Sequence, residues 1–215
     1  AMAQNAPSAE RNKAFIWEKL SEVLPPPQAD GSPTKLLEIG SGTGQHAAHF
    51  AAARGDLLVQ PTDVNLEFAD SVAAHAAMAG PEVTRRVLAL RELDLLKGIT
   101  ADAWVNAPYD IVVSINMLHI SEPECGKALF VVAAEALKEG GVLFTYGPYR
   151  VDGFLTDSNL DFERGYLKGR CERFAIREVR DLERLADEQG FVLEAMHDMP
   201  ANNKSLIWRF KGVAA

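Results

Sequence analysis

The chain has 215 residues, 47% of them hydrophobic and 24% charged, and its formal net charge at pH 7 is −8. This length is enough for one well-packed α/β domain, and the acidic charge makes nucleic acid an unlikely main partner. No apolar run approaches the roughly 18 residues of a membrane span, and the N-terminus has no signal-peptide core. The two cysteines are far apart in sequence and form no disulfide framework. We therefore expect a cytoplasmic protein with no membrane partner.

The first predicted elements alternate between helices and strands. An amphipathic helix over residues 8–24 ends at three consecutive prolines, so residues 1–34 form an N-terminal helix and linker. The elements that follow are a strand at 35–39, a helix at 44–54, a strand at 57–62, a helix at 66–78 and a strand at 86–92. Strands that alternate with helices predict a parallel sheet that is covered on both faces.

The second half continues with a strand at 109–115, a helix at 122–138 and a strand at 142–146. Residues 149–176 interrupt the alternation with aromatic and charged side chains, and we predict that they form an insertion over the active face. A helix at 178–189 precedes two last strands, at 191–197 and 205–211, with no helix between them. This last pair should be antiparallel and lie at the edge of the sheet.

Residues 35–46 are the most informative stretch, because a strand ending at Glu38 leads through Gly40, Gly42 and Gly44 into a helix. Glycine permits positive φ and a close approach of the backbone to a ligand, and the new helix offers unpaired N–H groups. A carboxylate at Glu38 would repel a pyrophosphate, but it suits the cationic methionine end of S-adenosylmethionine (SAM). The loop therefore favours SAM as the cofactor.

Polar residues also follow the next three strands, at the edge where ligands bind in an open parallel sheet. Asp63, 25 residues after Glu38, can accept hydrogen bonds from both ribose hydroxyls, and Asp94 can accept one from the adenine amino group. Asn116 and Met117 follow the fourth strand and would line the inner wall of the site. Asp63 and Asp94 could instead cap helices, and Met117 could belong to the core.

The glycine loop also fits a dinucleotide site, because residues 42–47 match the pattern G-x-G-x-x-A and Asp63 lies about 20 residues on. An NAD(P)-dependent oxidoreductase therefore remains an alternative. The charge of Glu38 beside the expected pyrophosphate counts against it. The antiparallel last strand is also atypical of a dinucleotide-binding sheet.

Residues 38–44, Asp63, Asp94 and residues 110–116 resemble motifs of class I SAM-dependent methyltransferases. The chain is most similar to the methyltransferase-like 26 family, also called domain of unknown function 938, over nearly its whole length. The matching runs are residues 10–13, 41–47, 115–121, 146–149, 158–159 and 199–204. One departure is Thr62, where the family pattern has serine.

This resemblance implies a single methyltransferase domain over residues 1–215, with a Rossmann-like class I fold. Its mostly parallel, seven-stranded sheet would have an antiparallel edge strand and helices on both faces. The resemblance also implies an enzyme that transfers a methyl group from SAM, but it does not identify the acceptor. The expected cofactor-binding residues are Arg11, Glu38, Gly40, Ser41, Gly42, Asp63, Asp94, Leu95, Asn116 and Met117.

Methyl transfer requires an acceptor lone pair in line with the sulfonium and, for some acceptors, a base that removes a proton. We predict His119 as the base, because its ordinary pKa is about 6.5. Tyr146 and Tyr149 could position or deprotonate the acceptor. His119 could alternatively serve only to pack or orient its loop.

The predicted acceptor-binding residues are Asn12, Asn159, Asn202 and Asn203, and Arg11 could bind the methionine carboxylate or an acidic acceptor. A solvated helix face for Arg11 and Asn12, and a tight turn at Asn202 and Asn203, are the structural alternatives.

No metal is expected, since His46 and His49 are spaced i, i+3 without an evident third ligand. The 149–176 insertion is long enough to shape a closed pocket, which suits a small-molecule acceptor. A protein substrate and a non-catalytic SAM-binding protein remain open, as does the oligomeric state.

Overall fold

The computed structural model describes residues 2–98 and 106–212. These residues group into two compact units, one containing residues 2–94 and 106–113 and the other containing residues 95–98 and 114–212. Among the described helices, none is long and apolar enough to cross a membrane. The prediction of one domain over the whole chain stays a prediction.

Within the described residues, seven strands form one sheet, and most of them lie within a residue or two of the predicted positions. They are β1 (Thr34–Ile39), β2 (Leu57–Asp63), β3 (Arg91–Glu92), β4 (Tyr109–Ile115), β5 (Leu137–Gly147), β6 (Phe191–Met199) and β7 (Asn203–Phe210). Their order is β3-β2-β1-β4-β5-β7-β6. β2 pairs in parallel with β1 and with β3, whereas β7 runs antiparallel to both β5 and β6. The predicted Rossmann-like sheet, mostly parallel with an antiparallel element at one edge, is confirmed.

The helices of the first unit are α1 (Pro7–Val23), α2 (Gln45–Ala53), α3 (Ala69–Ala79) and α4 (Pro81–Arg86). An apolar stripe that includes Phe15, Ile16 and Leu20 is predicted on α1; Ile16 and Leu20 are fully buried, whereas Phe15 is exposed. Trp17 stacks on Phe50 of α2 with 5.7 Å between the ring centroids. Burial of this stripe therefore fixes α1 against the helix that follows the glycine loop.

The third strand is shorter than the predicted span of 86–92: α4 ends at Arg86, and of residues 87–90 only Val87 pairs with β2, in an isolated bridge to Val59. Pro81 stands at the first position of α4, where its missing N–H costs nothing. At the end of the helix, the Arg86 guanidinium donates to the carbonyls of Ala51 and Arg54, at 2.6 and 2.9 Å. Regular pairing with β2 is then limited to Arg91–Glu92.

The helices of the second unit are α5 (Cys125–Ala136), α6 (Asp157–Asp161), a π-helical turn (Phe162–Leu167), α7 (Lys168–Arg170) and α8 (Val179–Asp187). Its core centres on Trp208, which is fully buried on β7. The ring of Phe130 on α5 meets Trp208 edge-on at 5.0 Å and lies 5.6 Å from Phe191. These aromatic contacts join β6, β7 and α5 into one packed layer.

The predicted insertion, residues 149–176, is ordered around a small apolar cluster of its own. Leu155, Leu167 and Ile176 form this cluster and are buried. The Glu163 carboxylate accepts hydrogen bonds from Arg150, at 2.9 Å, and from the Ile176 backbone N–H, at 2.7 Å. The segment therefore has its own internal supports, and its position over an active face stays a prediction.

Candidate functional site

The glycine loop of the first unit has the backbone geometry that the sequence predicts. Gly40, Gly42 and Gly44 have φ values of +76°, +51° and +89°, which side chains rarely adopt. A Cβ on Gly44 would lie 2.6 Å from the Val72 Cα, so no side chain fits there. A Cβ on Gly42 would meet nothing within 4 Å, so the space above this residue is open to a ligand.

Asp63, at the end of β2, is hydrogen-bonded directly to this loop. Its Oδ2 accepts the Gly42 N–H at 2.8 Å, and its Oδ1 accepts the Asn65 N–H at 2.9 Å. Asn65, rather than Asp63, caps the 3₁₀ turn Leu66–Phe68, so the helix-cap alternative for Asp63 is wrong. Each carboxylate oxygen keeps a second lone pair, which is what two ribose hydroxyls require.

Glu38 is a buried carboxyl group beside the loop, with 1% of its surface exposed. Its Oε2 has no hydrogen-bond partner within residues 2–98 and 106–212. The pKa of Glu38 is raised to about 8: burial is the main cause, a hydrogen bond from Ser41 opposes the rise, and the nearby Asp63 charge contributes to it. The group therefore holds a proton at neutral pH, and a cation placed next to it would favour the ionised form.

Ser41 and Thr62 fasten the end of β1 to β2. The Ser41 N–H donates to the Thr62 carbonyl at 2.8 Å, and the Ser41 hydroxyl accepts the Thr62 N–H at 3.1 Å. The Thr62 hydroxyl donates to the Glu38 carbonyl at 2.7 Å. A serine hydroxyl could make the same bond, so the departure from the family pattern at Thr62 leaves this connection intact.

The first turn of α2 holds the N-terminal segment through two side chains. Gln45 accepts the Ala6 N–H at 2.8 Å and donates to the Glu10 carboxylate at 3.0 Å. His46 Nε2 lies 2.7 Å from Asn12 Oδ1, and burial lowers the pKa of His46 to about 4, so the neutral ring donates this bond. The role of Gln45 was missed, although its place directly after Gly44 in the glycine motif could have indicated it.

The N-terminal segment also carries Arg11, which is exposed on α1. The Arg11 side chain has no hydrogen-bond or ion-pair partner in the part of the chain that the structure describes. Asn12 is buried, and its side-chain oxygen already contacts His46. The predicted roles of Arg11 in cofactor binding and of Asn12 in acceptor binding stay predictions.

Asp94 and Leu95 are half-buried directly after β3. The end of β3 is joined to β2 by the Leu93 N–H, which donates to the Asp63 carbonyl at 3.0 Å. The helix that Asp94 could cap, near residue 100, lies outside the described residues. Contact of Asp94 and Leu95 with adenine stays a prediction.

In the second unit, the loop after β4 lies against the end of β5. Asn116 has a φ of +53° and donates its N–H to the Tyr146 carbonyl at 2.8 Å. A Cβ on Gly147 would lie 3.5 Å both from Asn116 Oδ1 and from His119 Nδ1. The structure therefore brings together Asn116, Tyr146 and His119, while Met117 between them is half-buried.

His119 is buried, and its ring meets Phe162 edge-on at 5.8 Å. The pKa of His119 is lowered to about 4, mainly by burial and in addition by the positive charge of Arg177. The ring is therefore neutral near pH 7 and keeps a nitrogen lone pair. It is also a weaker base than the ordinary value predicts.

Arg177 holds the loop that carries His119. Its guanidinium donates to the Leu118 carbonyl at 3.1 Å and to the Ser121 carbonyl at 2.6 Å. Burial lowers the pKa of Arg177, as expected for a cation that is only partly solvated. Sequence reasoning missed this residue, because nothing in the spacing sets it apart from neighbouring arginines.

The second unit also contains a cavity of about 320 Å³. It is lined by Tyr149, Val151, Phe154, Leu155, Thr156, Asn159, Asp198, Met199, Asn202, Asn203 and Lys204. Four residues predicted for acceptor chemistry, Tyr149, Asn159, Asn202 and Asn203, thus share one cavity. Asn202 also has a φ of +57°, so the tight turn and the lining of a cavity are properties of the same segment.

Burial raises the pKa of Tyr149 above its ordinary value, so the hydroxyl stays protonated. This favours positioning of an acceptor over its deprotonation. Tyr146 is buried on β5, opposite Ser205 of β7. No group of three His, Cys, Asp or Glu side chains that could hold a metal is found among the described residues.

Comparison with known proteins begins with a family model described as "Protein of unknown function (DUF938)", which matches residues 3–210. A hybrid PKS-NRPS synthetase, thnA, from Trichoderma harzianum is 33% identical over 112 residues. That match covers 51% of this chain and 3% of the synthetase.

Two solved structures show the fold. An O-methyltransferase family protein from Burkholderia thailandensis matches with a TM-score of 0.74 at 15% identity, over 95% of this chain and 57% of that one. An O-methyltransferase family 2 protein from Planctomyces limnophilus, in complex with apigenin, matches with a TM-score of 0.72 at 17% identity, over 94% and 59% of the two chains. The chain thus has a methyltransferase fold and spans less than two thirds of the length of each of these proteins.

Proposed function

We propose that this chain, which belongs to the DUF938 family, is a SAM-dependent methyltransferase with a small-molecule acceptor. The proposal includes membership of the methyltransferase-like 26 group and one methyltransferase domain with residues 149–176 as its insertion. The structurally similar protein from Planctomyces limnophilus is in complex with apigenin, a small molecule. This agrees with the proposed acceptor class.

The observation that carries the proposal is the arrangement of Gly42, Asp63 and Glu38. The open space above Gly42 gives a ligand access to the loop, and the Asp63 carboxylate lies 2.8 Å from the Gly42 nitrogen. Two ribose hydroxyls can bind the free lone pairs of Asp63. Glu38 supplies a buried carboxyl group without a partner on Oε2 among the described residues, and it suits a cationic ligand better than a pyrophosphate.

When bound, SAM would supply a methyl group that is already activated by the positive sulfur. The protein then has to bind and orient SAM and the acceptor, and to exclude water from them. Asp63 would hold the ribose, Glu38 would face the methionine end, and Asp94 and Leu95 would contact adenine. Gly40, Ser41, Gly42 and Arg11, together with Asn116 and Met117, complete the proposed cofactor-binding set.

On the acceptor side, we assign His119 as the group that takes up a proton, because its neutral ring keeps a lone pair. Tyr149 would donate a hydrogen bond that positions the acceptor, and Asn159, Asn202 and Asn203 would line its site. Tyr146 would also help to position the acceptor, and Asn12 would contribute to acceptor binding. A nicotinamide-dependent oxidoreductase and a non-catalytic SAM-binding protein are less favoured, because the similar folds are methyltransferases.

The test is incubation of the protein with methyl-labelled SAM and a small-molecule extract of cells, followed by mass spectrometry. We expect a labelled small molecule with the wild-type protein and strongly reduced label with Asp63→Ala. Label found only on protein would overturn the proposed acceptor class. Absence of label, together with thermal stabilisation by NADH but not by SAM, would overturn the proposed reaction.

A further inference from the structure

A chain of hydrogen bonds ends at the Tyr149 hydroxyl in the wall of the second-unit cavity. The indole Nε1 of Trp208 donates to the Thr145 hydroxyl oxygen at 3.1 Å. An indole N–H can only donate, so Thr145 keeps its own proton for another partner. Thr145 is the side-chain hydrogen-bond partner of Tyr149. With Thr145 donating to its oxygen, Tyr149 keeps its own proton for a molecule in the cavity.

Three asparagines in the same wall use their amide nitrogens inside the protein. Asn159 Nδ2 donates to the Asn202 carbonyl at 3.0 Å, and Asn202 Nδ2 donates to the Ser158 hydroxyl at 2.8 Å. Asn203 Nδ2 donates to the Pro200 carbonyl at 3.2 Å. Their side-chain oxygens have no hydrogen-bond partner within the described residues. These oxygens are therefore available to accept hydrogen bonds from a ligand that donates them, in place of water.

The charges of the lining cancel. Asp198 and Lys204 are the charged side chains among the lining residues, and they form an ion pair with each other. An anionic ligand would only replace Asp198 as the partner of Lys204, while it would lose its own hydration. Val151, Leu155 and Met199 give the rest of the lining an apolar character.

We propose that this cavity binds an uncharged molecule with an apolar body and a hydroxyl group. The hydroxyl accepts a hydrogen bond from Tyr149 and donates one to an asparagine side-chain oxygen. An alcohol or a phenol offers both functions on one oxygen atom. The inference rests on the proposed function in one respect, namely that this molecule is the methyl acceptor.

The experiment measures dissociation constants by calorimetry for a matched set of ligands, without SAM. The probes are 4-propylphenol, 4-propylanisole, which accepts but cannot donate, and 4-propylbenzoate, which is anionic. We expect the phenol to bind about fivefold more tightly than the anisole, the effect of one net hydrogen bond. The benzoate should bind more weakly than the phenol.

The variant Tyr149→Phe should weaken binding of 4-propylphenol about fivefold, because it removes the donor and keeps the ring. Tyr166→Phe is the matched control, since Tyr166 is half exposed and its hydroxyl bonds Arg170 away from the lining residues. This control should leave all three constants unchanged. If Tyr149→Phe does not fold, the wild-type ligand series still tests the proposal.

Equal affinity for phenol and anisole, tighter binding of benzoate, or no binding of the phenol at millimolar concentration would each overturn the inference. So would an unchanged phenol affinity in folded Tyr149→Phe. Because SAM is left out, these results do not depend on the proposed reaction. Phenol binding, together with no labelled product from methyl-labelled SAM in the extract experiment, would contradict the proposed function alone.

Discussion

Replacement of Glu38 by glutamine should remove a pH dependence from the stability of the protein. The pKa of Glu38 rises from its ordinary value of 4.5 to about 8 in the folded state, mainly because the group is buried. Between these values the folded protein keeps a proton that the unfolded chain releases, so stability falls as pH rises. The fall is about 1.4 kcal/mol per pH unit in this window and levels off above the folded pKa. We therefore expect a loss of about 3 kcal/mol in the free energy of unfolding between pH 6 and pH 9.

The assay is urea denaturation of wild type, Glu38→Gln and Glu92→Gln at pH 6, 7, 8 and 9. Glu92 is an exposed glutamate on β3, so its replacement controls for the loss of one charge. Wild type and Glu92→Gln should lose stability together as pH rises, whereas Glu38→Gln should lack this component. Parallel pH profiles for all three proteins would refute the reasoning that a buried, protonated carboxyl group stands at this position.

Three further results are expected. Gly44→Ala should destabilise the protein by roughly 3 kcal/mol, because Gly44 has a positive φ and a Cβ there would clash with Val72. Gly42→Ala should destabilise it by only about 1 kcal/mol, because its positive φ is the sole cause. Equal losses of stability in urea denaturation would contradict this difference. His119→Ala should lower kcat about 100-fold and leave the affinity for SAM unchanged; a parallel loss of SAM affinity would instead assign His119 to the cofactor site. The kcat of the wild-type protein should show no step near pH 6.5, because the pKa of His119 is about 4. Arg177→Gln should raise the pKa of His119, as followed by NMR titration of its ring protons; an unchanged pKa would mean that Arg177 acts only on the loop backbone.

The positions of most strands along the chain were predictable, because each is a short apolar run between turn residues, and the antiparallel last pair was predictable because no helix separates its members. The third strand was misplaced at its start. There, the Gly80-Pro81 boundary and the backbone carbonyls that receive the Arg86 side chain favour a helix end. Such a tertiary contact between a guanidinium and distant carbonyls leaves no periodic signal in the sequence.

The geometry of the glycine loop and of its neighbouring carboxylates was also largely predictable, because these residues occur at strand ends. The bond between Asp63 and Gly42 follows from that placement. The pKa values of the buried groups did not follow from the sequence, because desolvation depends on what packs around each group. The pKa of His119 was predicted to be near its ordinary value, and the burial of the ring beside Arg177 lowers this pKa to about 4.

The cavity of the second unit shows the same limit. Asn159 and Asn202 lie 43 residues apart, and their hydrogen bond forms only after the insertion and the β6–β7 turn have folded. Family motifs pointed to both residues, but their shared role could not be read from spacing. The hydrogen bonds from Trp208 through Thr145 to Tyr149 likewise link two segments, β7 and the end of β5, that are far apart in sequence.

The most direct test of the central claim is calorimetric titration with SAM of wild type, Asp63→Ala and Asp70→Ala, where Asp70 is an exposed carboxylate at the start of α3. Wild type and Asp70→Ala should bind one SAM per chain with equal affinity. Asp63→Ala should bind at least about tenfold more weakly, because the ribose loses its charged hydrogen-bond acceptor. No binding of SAM to the folded wild-type protein, or equal binding to folded Asp63→Ala, would contradict the account.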